Sequence, residues 1–202
     1  FMVVVIYKIN HIYGEIWANN IKRVLKDQGL LKRPIHIISA NMHSVLNTIY
    51  APNALPEKSK EHKGFELFQL LSNEENKPLH KKVQEYAAEN GLFYIRDTSG
   101  TNINVQVIDT QKINFDTIEF DKVHSKEKDP VIIVMDYAFG EQAYETMDEL
   151  LRPYKDQEDI VHLDVESISI MGKAGILEGA KGDIMIPSAH IFEGTADNYP
   201  FR

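Results

Sequence analysis

The sequence predicts an α/β fold in which a mixed or largely parallel sheet is flanked by helices. Three observations carry that prediction. Residues 130–135 read PVIIVM and residues 35–39 read IHIIS, continuous apolar runs of the kind that a parallel sheet buries on both faces. The first run leads into Asp136-Tyr137-Ala138-Phe139-Gly140 and then a helical pattern, the order strand, glycine turn, helix. From Gly172 the chain reads GKAGILEGAKGDIMIP, a glycine-rich turn behind the apolar strand 167–171, followed by a Gly-Asp that opens another strand.

The elements follow in order. The opening FMVVVIYKIN is apolar for too few residues to span a bilayer, and it lacks the basic start and small-residue cleavage site of a signal peptide. It is expected to be a buried strand or helix end, and Phe1 in place of an initiator Met suggests an upstream portion. From His11 the pattern is helical, with Ile12, Ile16, Ile21, Val24 and Leu25 as the stripe and Gly29 as the stop. Pro34 then leads the buried strand 35–39. A helix from about 42 to 50 is expected to end before Pro52. Residues 52–64, PNALPEKSKEHKG, read as an exposed loop.

Residues 65–71 form a short amphipathic helix, and 78–90 a better one, with Leu79, Val83, Tyr86 and Ala87 on one side. Strands are expected at 92–96 and 103–109, joined by Asp97-Thr98-Ser99-Gly100-Thr101-Asn102, and a third at 113–120. The charged segment 122–129 reads as a linker, dividing an N-terminal α/β region (1–121) from residues 130–202. The helix 141–151 places Ala143, Met147, Leu150 and Leu151 on one face, with Glu141 complementing the dipole of its first turn.

Composition narrows the function. The 202 residues allow one or two domains with a core of ordinary size, and the formal net charge of -8 argues against a nucleic-acid surface. Small ligands or protein partners fit better. The chain has no cysteine, which excludes disulfides and thiolate zinc sites and is compatible with the cytoplasm; no membrane partner is expected.

Two clusters could bind a ligand. In the first, the amides of Gly172, Ala174 and Gly175 can approach a phosphate or sugar, and Lys173 adds a cation; an ordinary glycine turn remains the alternative. It is not a Walker A loop, because Ala174 follows Gly172-Lys173 and Ser167 holds the leading glycine position, and no Gly-x-Gly-x-x-Gly follows any strand. The second is Asn41, His43 and Ser44, at the carboxyl end of strand 35–39, where open α/β sheets bind ligands. Its alternative is a helix capped by Ser39 or Asn41.

The histidines form no metal motif. His36 reads as a hydrogen-bonded core residue; His62, His80 and His124 sit among lysines, and His11 and His162 have no partner at ligand spacing. No metal or cofactor is expected. Asp164 and Glu166 could suggest acid/base chemistry, or simply alternate on a solvent face.

The order strand, Gly172-Lys173-Ala174-Gly175-Ile176-Leu177, loop, Gly182-Asp183-Ile184-Met185-Ile186-Pro187 resembles the central stretch of the nucleoside phosphorylase and nucleosidase superfamily. Within it, Glu193-Gly194-Thr195-Ala196-Asp197-Asn198-Tyr199 is most similar to the Glu-Gly-Thr-Ser-Asp-Asp-Tyr of AMP nucleosidases. The resemblance covers residues 130–202. It implies a three-layer, nucleoside phosphorylase-like fold, incomplete at the C-terminus, and cleavage of an N-glycosidic bond by water or phosphate. It implies ligand contacts at Gly140, Gly172, Lys173, Ala174, Gly175, His190 and Asp197, with Lys173 meeting a phosphate; His190 also has a structural reading and Asp197 a capping one. Asp183 would be architectural. A homo-oligomer acting on a nucleoside or nucleotide is expected. The family's ribose-gripping Met-Glu pair and its base-polarising acid fall beyond Arg202, so no catalytic residue is assigned. Ile176, where the family carries a second glycine, keeps open a non-catalytic nucleotide-binding or assembly module.

Overall fold

The helical pattern begins earlier than the sequence suggests. In the computed structural model, which describes residues 2–118, 129–156, 159–172, 178–180, 183, 189–191 and 198–200, helix α1 runs unbroken over Met2–Asp27. The side chains of residues 2–11, 156, 159, 189–191 and 198–200 lie outside that description. The opening apolar run is therefore the first part of one long helix. Trp17, Ala18, Ile21 and Leu25, at three- and four-residue spacing, form its buried stripe, whereas Ile12 and Ile16 are exposed. Gly29, at φ +70, ends the helix: Leu30 N donates to Leu25 O at 2.7 Å and Gly29 N to Lys26 O at 2.9 Å.

The chain continues through β1 (Pro34–Ser39), α2 (Met42–Ala54), α3 (Pro56–Glu61), α4 (Phe65–Ser72), α5 (Lys77–Glu89), β2 (Leu92–Ile95), β3 (Val105–Asp109), β4 (Val131–Met135) and α6 (Gly140–Leu151). Then come β5 (Tyr154–Asp156), β6 (Asp159–Val161), β7 (Asp164–Ile170), β8 (Ala189–Ile191) and β9 (Asn198–Pro200). Three expectations need correction. α2 runs through Pro52 instead of stopping before it, because Ile49, Tyr50, Ala51 and Leu55 are all buried there and that packing outweighs one lost helical bond. The expected loop 52–64 contains α3, started by Pro56 in its first turn and flanked by the pairs Lys58–Glu61 and Lys60–Glu57. The expected strand at 113–120 is instead a 3-10 turn over Phe115–Thr117, held to α2 by Asn53 Nδ2 donating to Asn114 O at 2.8 Å and Thr117 Oγ1 to Asn53 Oδ1 at 2.7 Å.

The main sheet is mixed, in the order β2-β3-β4-β1-β7. β1 is parallel to both β4 and β7, and β3 is antiparallel to β2 and β4. Helices cover both faces. On one, Trp17, Ile21 and Leu25 of α1 and Leu150 of α6 pack on Ile35, Ile37, Val105, Val107, Val131 and Ile133. On the other, Val45, Leu46 and Ile49 of α2, Leu67 and Leu71 of α4 and Val83 and Ala87 of α5 pack on Leu92, Ile108 and Val134. Each such large apolar side chain contributes about 1.5–3 kcal/mol by leaving water.

β4 lies between β3 and β1, so residues on both sides of 122–129 share one sheet; positions 119–128 are outside the described residues. Phe1–Gly172 and Lys173–Arg202 form two units. In the second, β8 pairs antiparallel with β9, and Asp183 accepts from Ala180 N at 2.7 Å while its own amide donates to Ala180 O at 3.1 Å. Among the described residues no helix is long and apolar enough to cross a membrane.

Candidate functional site

Because β1, β4 and β7 are parallel, their carboxyl ends meet along one edge of the sheet. Ala40 N donates to Met135 O at 3.2 Å and Met171 N to Ser39 O at 2.9 Å, which ties the three ends together. The chain leaves the neighbours β1 and β4 in opposite directions. α2 packs on one face and α6 on the other, so the two following loops leave toward opposite faces, and such a switch point is the usual ligand position in open α/β sheets.

The loop after β1 holds Asn41, His43 and Ser44. Asn41 Oδ1 accepts from Ser44 N at 3.1 Å and from Ser44 Oγ at 3.4 Å, so Asn41 is the N-cap of α2. The structure thus brings Asn41 and Ser44 together as a cap, and leaves His43 exposed in the first turn. In the loop after β4, Asp136 N donates to Asn104 O at 3.0 Å and Asp136 Oδ1 accepts from Tyr137 N at 2.9 Å. Tyr137 and Phe139 then stack with centroids 6.2 Å apart. Both rings are exposed, Phe139 by 75%. Gly140, at φ +57, opens α6 with no neighbouring atom within 4 Å of where a Cβ would stand.

The β2–β3 loop reaches the same edge. Asp97 organises it: Oδ1 accepts from Ser99 N at 2.9 Å and Ser99 Oγ at 2.6 Å, while Oδ2 accepts from Gly100 N at 3.1 Å and Asn102 N at 2.8 Å. Burial raises its pKa, but the Ser99 hydroxyl and the amides of Ser99, Asn102 and Gly100 outweigh that and hold it below the ordinary 3.8. This loop and the first half of α6 enclose, with α1, a cavity of about 320 Å³.

At the end of β7, Gly172 is exposed, with nothing within 4 Å of a Cβ position. Lys173, Ala174, Gly175 and Asp197 lie outside the described residues. His190 belongs to β8, where its backbone pairs with Tyr199. Gly140 and Gly172 therefore follow strands of one sheet at the same edge, on separate loops.

The structure joins His36, expected as a hydrogen-bonded core residue, and Glu166, expected as one of a carboxylate pair, with Ser167 in one cluster. His36, half-buried on β1, has Nδ1 2.7 Å from Ser167 Oγ and Nε2 3.6 Å from Glu166 Oε2. Consecutive residues of a regular strand face opposite ways, and the register shift between Ile35 and His36 on pairing with β7 changes that here. Hydroxyl, imidazole and carboxylate can relay a proton, but Glu166 and Ser167 are exposed and neither belongs to the 320 Å³ cavity. Among the described residues no group of three or more His, Cys, Asp or Glu side chains could hold a metal ion.

Comparison with known proteins matches residues 57–202 to the model of a family of unknown function (DUF6909). No curated protein and no solved structure matches the chain.

Proposed function

The chain belongs to this family of unknown function, DUF6909, and we propose that it binds a nucleoside or nucleotide at the carboxyl edge of its sheet and cleaves the N-glycosidic bond. The observation that carries the reading is the convergence of the carboxyl ends of β4, β1 and β7 on one edge, with β7 leading directly into the Gly172-Lys173-Ala174-Gly175 run. That run supplies the resemblance to nucleosidases, and the edge is where an open α/β sheet takes a ligand.

In the proposed reaction the bond between the anomeric carbon and the base nitrogen breaks, and its electron pair leaves with the base. The oxygen of water, or of phosphate, bonds to the anomeric carbon, and the proton released from the attacking group ends on the base. The sugar carries oxocarbenium character in between, so the site must stabilise positive charge there. The resemblance gives Lys173 the phosphate of the ligand, with the Gly172 and Gly175 amides beside it.

Chromatography of AMP and adenosine incubated with the protein, with and without phosphate, tests the reading. Release of adenine supports cleavage, and dependence on phosphate distinguishes phosphorolysis from hydrolysis. Calorimetric binding of AMP without adenine release would instead support a nucleotide-binding module, the alternative that Ile176 favours. Lys173→Met should weaken AMP binding about tenfold or more, the loss of a charge-assisted contact. Unchanged binding would remove that role.

A further inference from the structure

We propose that Ser167 is a nucleophile activated by His36, and that the open face of β1 and β7 on which it stands hydrolyses small carboxylic esters. His36 Nδ1 lies 2.7 Å from Ser167 Oγ, and its Nε2 lies 3.6 Å from Glu166 Oε2. Hydroxyl, imidazole and carboxylate thus stand in the order that acyl transfer needs: nucleophile, base, and a group that orients the base. The carboxylate beside Nε2 favours a proton on that nitrogen, which leaves Nδ1 to accept from the Ser167 hydroxyl.

The backbone is arranged around this contact. Glu166 and Ser167 are consecutive, so a regular strand would turn them to opposite faces; the register shift between Ile35 and His36 brings both to one imidazole. Such irregularities re-aim side chains and are frequent next to active sites. β7 is also the last strand of its sheet. Met171 N donates to Ser39 O of β1, and amides alternate along a strand, so those of Ile168 and Ile170 point to the edge that no described strand occupies. The Ile168 amide follows Ser167 directly and is the donor available to an oxyanion formed there. Ile38, half-buried two residues beyond His36 on the same face, gives a short acyl group an apolar seat.

In the reaction, Ser167 Oγ bonds to the carbonyl carbon of the ester and its proton passes to His36 Nδ1. The imidazolium formed faces the Glu166 carboxylate, which stabilises it. The bond to the alcohol oxygen then breaks, and that oxygen leaves with the electron pair and takes the proton from Nδ1. Water attacks the acyl-serine in the same way, giving its proton to Nδ1 and then, through it, to Ser167 as the carboxylic acid departs. Glu166 and Ser167 are exposed, so a substrate reaches them without any opening of the fold. An exposed site gives little protection from water and few contacts, which suits a small ester with a readily departing alcohol better than a peptide.

This site does not depend on the nucleotide reading, which uses none of the three residues. The test treats the full chain with a fluorescent fluorophosphonate, maps the label by peptide mass spectrometry, and follows hydrolysis of 4-nitrophenyl acetate. The label should sit on Ser167, and Ser167→Ala should abolish both labelling and turnover, whereas Ser169→Ala, which removes another exposed hydroxyl of β7, should change neither. His36→Gln should slow labelling about a hundredfold or more. Glu166 is a positioning residue, so Glu166→Gln should lower kcat about tenfold at unchanged KM. An unlabelled parent, a label on another residue, turnover by Ser167→Ala equal to the parent's, or equal labelling of His36→Gln and the parent would overturn the proposal. Because Glu166 and Ser167 are on the surface, their variants keep the test decisive even if His36→Gln does not fold.

Discussion

The ammonium of Lys22, on α1, is buried 2.8 Å from the carbonyl oxygen of Glu149 near the C-terminal end of α6. It also donates to Arg152 O at 2.7 Å, so one side chain from early in the chain satisfies two carbonyls that the helix end leaves open. Burial lowers its pKa from 10.5 to about 8, against the attraction of Glu149. Below pH 8 both folded and unfolded chains carry the proton, and the cost of the buried charge is fully present. Between about 8 and 10.5 the folded chain releases it first, so this group makes the protein more stable as pH rises. Tyr50 acts in the opposite sense: burial, Asp109 and Tyr86 raise its pKa, and above its ordinary 10.0 the unfolded state ionises first.

Urea denaturation from pH 7 to 10 should therefore show stability increasing by about 1–2 kcal/mol through Lys22. Lys22→Met should flatten that rise. A parent and a variant with parallel pH profiles would show that Lys22 does not titrate in this window.

The fold was legible where the pattern was local. Apolar runs of a few residues identified β1 and β4, and the alternation of polar and apolar positions identified α5 and α6. It failed where packing between distant segments decides. Nothing local tells that Pro52 stays within α2, since the reason is the burial of Ile49, Tyr50 and Ala51 against other elements. Of the expected α1 stripe, Ile21 and Leu25 are buried, whereas Ile12 and Ile16 are exposed and Trp17 and Ala18 take their place, with Trp17 Nε1 donating to Ile103 O at 2.9 Å across 86 residues.

Asp97 should make the β2–β3 loop acid-sensitive. Its folded pKa lies below 3.8, so its contribution is present above the unfolded value and is lost as pH falls through the folded one. Asp97→Ala leaves the amides of Gly100 and Asn102 and the Ser99 hydroxyl without their acceptor, and should cost about 2 kcal/mol near neutral pH. Asp97→Asn should cost less and should reduce the loss of stability below pH 4. Denaturation midpoints at pH 6 and pH 3.5 for the three proteins check both statements; identical acid dependence of parent and Asp97→Asn would count against them.

The candidate site was partly legible for a related reason. Asn41 three residues before Ser44 is a recognisable cap signal, and the glycines after β4 and β7 mark the edge to which both strands lead. Glu145 of α6, 5% exposed, gave no sign of its burial. On an amphipathic helix a glutamate reads as a solvated residue, and only the docking of α1, where a Cβ on Gly14 would lie 3.6 Å from Glu145 O, turns that position inward. The cluster of His36, Glu166 and Ser167 depends on a register shift between two strands, which no single strand's sequence encodes.

Gly91 offers the sharpest steric test of the sheet. It has φ +95, and a Cβ there would stand 2.8 Å from Asp109 O and 2.9 Å from Lys112 Cβ. The chain cannot relax away easily, because Asp109 N donates to Gly91 O at 2.9 Å and Asp109 Oδ1 accepts from Arg33 Nη1 at 2.7 Å. Gly29 has a similar φ of +70 but nothing within 4 Å. Gly29→Ala should therefore cost only the backbone strain of about 1 kcal/mol, whereas Gly91→Ala adds a clash with main chain and should cost about 3 kcal/mol or more. Because the displaced Asp109 would also lose its fit to the Arg33 guanidinium, Gly91→Ala combined with Arg33→Ala should destabilise by less than the sum of the two. Denaturation of the four variants decides the matter: equal costs at Gly29 and Gly91 would show that the Asp109 backbone gives way, and strict additivity with Arg33→Ala would show that the ion pair does not feel the shift.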